Sequence, residues 1–269
     1  MEQSRPETPA SLASILTIAS QKGGVGKTTT AVNLAASLSL AGLPTLLFDF
    51  DPQGNASSGV GVTGAGVSAR RRDYLSVSLQ GKSLAPFVQS TLLENLWVLP
   101  ACGELSRLDL IQELHEQGFG QFRRQVRDLA SRFHFVLIDC PPSLAGLPSI
   151  ALGVSDRVLI PVQCEYYAME GLSQSLPVIH KIEESNNKDL TIGGFLMTMF
   201  SEELELSHEV AREVRSYFGD AVFRTIVPRD VVLAEAASHG LPAFHYAPLS
   251  RGAWSYVELA KEVMENAWT

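Results

Sequence analysis

The residues best suited to chemistry sit in one short run, Gln21-Lys22-Gly23-Gly24-Val25-Gly26-Lys27-Thr28-Thr29. Its glycines let backbone N–H groups converge on phosphate oxygens, and a helix opening at Thr28 adds its positive N-terminal end. Lys27 stands where an ammonium reaches the β- and γ-phosphates of a nucleotide, and the Thr28 hydroxyl where it ligates Mg²⁺. Gly23, Gly24, Val25, Gly26 and Thr29 complete the cradle. The usual P-loop carries glycine where this chain has Gln21, and beside it stands a second lysine, Lys22. An apolar run, Ile15–Ala19, precedes the loop and a helical pattern, Thr28–Leu40, follows it, which is the strand–loop–helix context the motif needs.

Three aspartates are the natural companions of such a loop. Asp49 and Asp51 close the second apolar run, and Asp139 follows the apolar Phe135–Ile138, the position of an acid that holds a metal through water. In a doubly wound sheet ligands bind at the carboxyl ends of strands, so all three belong at the edge that carries the loop. Alternation sends Asp49 and Asp51 to opposite faces of an extended chain, and a turn at Pro52 brings both to the site. The competing reading is that the two aspartates cap the turn before Pro52-Gln53-Gly54.

The elements that must position these groups are legible as apolar runs alternating with helical patterns. The runs are Ile15–Ala19, Thr45–Phe48, Leu96–Leu99, Phe135–Ile138, Val158–Val162, Ile192–Met197 and Val222–Val227. Several are nearly continuous in Val, Ile, Leu and Phe, as befits strands covered on both faces. Helical patterns fall at Thr28–Leu40, Phe122–Arg132, Glu170–Glu184, Leu206–Phe218 and Trp254–Asn266, the fourth placing Leu206, Val210, Val214 and Phe218 on one face. The expectation is a single-domain α/β fold, a doubly wound, mostly parallel sheet with helices on both faces. Residues 1–13 read as a disordered leader and 14–269 as the domain; over 54–95 neither period is clean.

Composition narrows the function classes. The 269 residues are 45% hydrophobic and 19% charged, an ordinary soluble globule, and no apolar run reaches the ~18 residues of a membrane helix. Cys102, Cys140 and Cys164 form neither a disulfide framework nor a zinc pattern, and the chain reads as cytosolic. Cys140 reads as a small buried hydrophobe rather than a cluster ligand. The six histidines show no ligand spacing. A net charge of −8 argues against nucleic-acid binding by bulk charge, so any such contact needs a local patch.

Lys22-Gly23-Gly24-Val25-Gly26-Lys27-Thr28-Thr29 resembles the deviant Walker A motif of the ParA/MinD ATPases. Phe48-Asp49-Phe50-Asp51-Pro52-Gln53-Gly54-Asn55-Ala56, Leu137-Ile138-Asp139-Cys140-Pro141-Pro142-Ser143, Ile226-Val227-Pro228-Arg229 and Ser250-Arg251-Gly252-Ala253 resemble the chromosomal ParA/Soj partition ATPases in particular, in the family's order. That resemblance implies ATP and Mg²⁺ held between two subunits, with Lys22 reaching the partner's nucleotide. It implies that Asp51 positions the attacking water, that Asp49 lies near the metal's outer shell, and that the adenine meets Pro228 and Asp230, where relatives carry asparagine. It further implies slow hydrolysis stimulated by a ParB-type centromere-binding partner, non-specific DNA binding by the ATP dimer, and a cytoplasmic, nucleoid-associated protein that segregates a chromosome or plasmid. The DNA contacts fall to Arg212, Arg215, Arg224, Arg229 and Arg251. Yet 201–230 holds seven acids against four arginines, a local net of −3. Arg70-Arg71-Arg72 is a second basic cluster, read either as a DNA or partner contact or as a plain loop. The rival reading is a MinD-like membrane-surface ATPase, or a positioner of protein cargo. The acidic ending Glu258-Leu259-Ala260-Lys261-Glu262-Val263-Met264-Glu265 disfavours anionic lipid and leaves cargo open.

Overall fold

Seven of the eight strands fall where the apolar runs predict. The computed structural model describes residues 13–62 and 74–267, so most of the expected leader and all of Arg70–Arg72 lie outside the described residues. The chain begins with β1 (Ser14–Ile18), α1 (Lys27–Leu40), β2 (Thr45–Asp49), α2 (Asn55–Gly59), α3 (Tyr74–Leu79), β3 (Gln89–Ser90) and β4 (Leu96–Leu99). It continues through α4 (Leu108–Glu113), α5 (Phe119–Ala130), β5 (Phe135–Asp139), α6 (Leu147–Val154), β6 (Arg157–Gln163) and α7 (Ala168–Ser185). β7 (Thr191–Phe200), α8 (Glu205–Phe218), β8 (Val222–Pro228), α9 (Val232–Ser238), α10 (Ala243–Tyr246) and α11 (Arg251–Ala267) complete it.

The strands form one sheet in the order β3-β4-β2-β5-β1-β6-β7-β8. All neighbours are parallel except β3, a two-residue edge strand antiparallel to β4 that no apolar run announced. The alternation of side chains explains the continuous apolar runs. On β1, β2 and β5, Ile15, Leu46, Phe48, Val136 and Ile138 pack into one core with α3, α5 and α6. Their neighbours Leu16, Leu47, Phe135 and Leu137 pack into the opposite core with α1 and α11. Both faces are covered, so these strands are apolar at most positions, with Thr17, Thr45, Asp49 and Asp139 the buried polar residues among them.

α1 is buried almost all round, with Ala31, Leu34, Ala35 and Leu38 fully covered between the sheet and α11. That burial fixes the helix whose first turn carries the loop. On α8 the packed positions are Ser207, Val210, Ala211 and Val214, whereas Leu206 is exposed, one step off the stripe expected from its apolar spacing. The helix begins at Glu205, so Leu206 occupies its open first turn. The region 54–95 holds α2, α3 and β3, elements too short to show a period.

Candidate functional site

The loop between β1 and α1 emerges from the middle of the sheet, where β1 lies between β5 and β6. Consecutive connections leave this point in opposite directions, β1 to β2 on one side and β5 to β6 on the other, which opens a crevice at the strand ends. Gly26 caps α1 in the left-handed region, φ 89°, with no side-chain acceptor on the first turn, and Gly24 also takes positive φ. Only glycine holds those angles without strain, and the uncapped N–H groups remain available to an anion. A side chain on Gly24 would meet nothing within 4 Å, so its backbone faces open space.

Lys27 is buried at the start of α1 and donates to its own loop, Nζ to the Lys22 carbonyl at 3.0 Å. Burial pulls its pKa below the usual lysine range, and the carboxylates of Asp139 and Asp51 oppose that pull. The Thr28 hydroxyl donates to Asp139 Oδ2 at 2.8 Å, so its oxygen lone pairs are not spent on that bond. Asp139 is fully buried, and among the described residues its Oδ1 has no hydrogen-bond partner. Burial, reinforced by the charge of Asp49, pushes its carboxyl up to about 8. A buried carboxylate with an unsatisfied oxygen beside a hydroxyl whose lone pairs are free is a donor set suited to a hydrated divalent cation. The residues therefore fit a magnesium–nucleotide complex, which Thr28 and Asp139 would hold.

The two aspartates of β2 do different things. Asp49 pairs in register with Asp139 on the neighbouring strand. Its Oδ2 accepts the N–H and the hydroxyl of Ser57 at 2.7 and 2.6 Å, and its Oδ1 accepts the Asp51 N–H at 3.4 Å. Burial raises its pKa and the Ser57 hydrogen bonds oppose the rise. Asp51 spends one oxygen on the turn, accepting the Gln53 N–H at 2.9 Å, and among the described residues its Oδ2 has no protein partner. The turn-capping reading and the catalytic reading thus use different oxygens of one carboxylate. The turn at Pro52 brings both aspartates to the same edge despite strand alternation, with the Asp51 N–H donating to the Asp49 carboxyl.

Lys22 is half-buried beside Gln163 and Ala168, and among the described residues its ammonium has no hydrogen-bond or ion-pair partner. Two contributors were invisible to motif reading. Thr198 on β7 donates to the Val25 carbonyl at 2.9 Å and so ties the loop to the far half of the sheet. Its only signal was a threonine inside an apolar strand. Ser57 lies just beyond the motif that carries the aspartates.

The late residues are less free than their spacing suggests. Asp230 accepts the Val232 N–H at 3.0 Å and the Gly252 N–H at 2.8 Å, so each oxygen fastens one helix start, α9 or α11. The five arginines do not converge on one patch. Arg229 and Arg251 lie at the carboxyl edge, paired with Glu165 (3.0 Å) and Glu202. Arg224 lies toward the opposite end of β8, bound to Glu262 (3.4 Å) and Glu265 (2.6 Å), with Arg215 reaching its carbonyl. Arg212 pairs with Glu205 at 3.0 Å along α8.

Known proteins resemble this chain in sequence and in fold. The AAA domain family matches residues 13–192. The sporulation initiation inhibitor protein Soj of Bacillus subtilis is 44% identical over 254 residues, covering 94% of this chain and 98% of that protein. The chromosome partitioning protein ParA of Myxococcus xanthus is 44% identical over 259 residues, covering 96% and 90%. Among solved structures, cobyrinic acid a,c-diamide synthase from Mycobacterium smegmatis with bound ATP analog and magnesium superposes with a TM-score of 0.78 at 28% identity, covering 96% of each chain. Resemblance at this level along nearly the whole length means that the chain belongs to the Soj/ParA family of chromosome-partitioning ATPases.

Proposed function

We propose that this chain is an ATP-driven dimerisation switch. ATP and Mg²⁺ join two copies, the dimer binds DNA without sequence preference, and a ParB-type partner stimulates slow hydrolysis that releases it. In this reading the protein works on the nucleoid in the cytoplasm and moves a chromosome or plasmid. The observation that carries it is the Thr28–Asp139 pair, in which one buried Asp139 oxygen has no partner among the described residues, in a chain so similar to chromosome-partitioning ATPases.

Magnesium in this site supplies charge neutralisation on the phosphates and a fixed geometry for them. The chain does the rest. Gly24, Val25, Gly26, Lys27, Thr28 and Thr29 cradle the phosphates through N–H groups, and Lys27 exchanges its bond to the Lys22 carbonyl for phosphate oxygens. Asp51 accepts a hydrogen bond from the attacking water on Oδ2 and orients it in line, the main help that phosphoryl transfer needs from protein beyond charge stabilisation. Lys22, unpartnered among the described residues of its own subunit, is the cation left over for the partner's nucleotide. Pro228 packs at the adenine end, and Asp230 contributes there only through a lone pair not used by its two backbone donors.

One observation favours a second reading, protein cargo in place of DNA. Four of the five arginines of the DNA surface already hold glutamates. No helix among the described residues is long and apolar enough to cross a membrane. A filter-binding titration at low salt, with the ATP- and Mg²⁺-loaded protein and random-sequence duplex, tests the choice. Retention that requires ATP and fades with salt is the expected result; no retention removes the DNA reading and leaves cargo.

A further inference from the structure

Ser57 is a buried side chain at this site that phosphate and metal binding leave without a role. It lies in the first turn of α2, covered from solvent. Its hydroxyl carries a single proton, which goes to Asp49 Oδ2 at 2.6 Å, and the Ala101 N–H, just past β4, donates to that hydroxyl at 3.2 Å. One donor and one acceptor on opposite sides fix the direction of the O–H bond. The Ser57 N–H adds a second bond to the same carboxylate oxygen at 2.7 Å. The other oxygen of Asp49 takes the Asp51 N–H. A continuous chain thus runs from the Ala101 backbone through Ser57 and Asp49 to the backbone of Asp51.

We propose that Ser57 is a positioning residue for hydrolysis: by locking the Asp49 carboxylate it fixes the turn that aims Asp51 at the attacking water. The proposal rests on the reading of Asp51 given above. Its physical basis is that Asp49 and Asp139 are buried and paired in register on adjacent strands, away from water that could satisfy either carboxyl. Two buried carboxyls side by side keep fixed directions only when each has donors of its own. Asp139 has Thr28 and a cation site; among the described residues Asp49 has only Ser57 and the Asp51 N–H. Without the hydroxyl, Asp49 Oδ2 keeps one donor, the Ala101 N–H loses its acceptor, and the carboxylate is free to turn, carrying the Asp51 backbone with it. Neighbouring Ser58 is a built-in control, since among the described residues its exposed hydroxyl bonds only the Gly54 carbonyl of its own turn.

The test compares Ser57→Ala, Ser57→Thr and Ser58→Ala in the full chain by phosphate release, ATP calorimetry and thermal melting. Ser57→Ala is expected to lower kcat by about 10-fold or more while KM and ATP affinity stay within about twofold. Ser57→Thr keeps the hydroxyl and restores most of the rate, and Ser58→Ala turns over like wild type. In the nucleotide-free protein, amide exchange over residues 51–57 quickens in Ser57→Ala and not in Ser58→Ala. If Ser57→Ala does not fold, Ser57→Cys, a weaker donor of similar size, shows the same loss of kcat at unchanged affinity. Wild-type kcat in Ser57→Ala overturns the proposal. So does an equal loss of ATP affinity, or a Ser57→Thr variant that melts normally yet remains as slow as Ser57→Ala. Asp51→Ala separates the two levels: if it still hydrolyses ATP, the reading of Asp51 itself fails.

Discussion

Two regions of this molecule use charged side chains in opposite ways. At the carboxyl edge of β1, β2 and β5, Lys27, Asp49, Asp51 and Asp139 are all buried, each held by named donors or acceptors within the fold. Across β7, β8, α8 and α11, Arg212, Arg224, Arg229 and Arg251 are exposed and pair with glutamates that are mostly exposed too. A buried charge leaves its partners only at a desolvation cost, so Asp49, Asp51 and Asp139 are set before any ligand arrives and Lys27 gives up its carbonyl only for an acceptor that replaces it. An exposed ion pair is worth about 0–1 kcal/mol and is screened by salt, so it yields to a better partner. The first region is built for fixed chemistry and the second for reversible contact.

The sharpest break of the comparison is Lys27→Ala. It removes the ammonium that faces the phosphates, and ATP affinity by calorimetry is expected to fall by about 100-fold. An unchanged affinity would mean that the buried region is not a nucleotide site. Asp51→Ala comes next: ATP binding persists while phosphate release drops by about 100-fold, leaving a long-lived ATP dimer. Lys22→Ala probes the loop cation that has no partner among the described residues of its own subunit. Light scattering with ATP and Mg²⁺ should report a monomer that still binds nucleotide, and a normal dimer would argue against a shared site. Adding EDTA should abolish turnover in the wild type and excess Mg²⁺ should restore it, because the proposed site at Thr28 and Asp139 would hold the cation that neutralises the phosphates.

The smallest effects belong to the arginine surface. Arg229→Ala or Arg251→Ala should weaken DNA retention and flatten its log–log salt dependence by about 0.9 for each phosphate that is no longer neutralised. Glu202→Gln frees Arg251 and should shift retention the other way. If Glu202→Gln leaves DNA binding as it was while Arg251→Ala lowers it, the ion pair does not compete with phosphate. Arg215→Ala should change least, because Arg215 lies with Arg224 toward the other end of β8 from Arg229.

The sequence alone determined the loop, because glycines, lysines and hydroxyls at fixed places are a local pattern whose geometry needs only the strand before and the helix after. It determined the parallel sheet for a related reason: Phe135-Val136-Leu137-Ile138 is apolar at every position only if both faces are covered. It left β3 and α2 unseen, since two and five residues carry no period. Tertiary structure decided everything that joins distant segments. Ser57 meets Ala101 across 44 positions, Thr198 meets Val25 across 173, and Thr28 meets Asp139 across 111. No spacing rule reaches that far, because these contacts are set by the order in which strands lie side by side. The same order separated the arginines: five positions along an extended β8 send Arg224 and Arg229 toward opposite ends of the strand, and each met a glutamate brought there by another element.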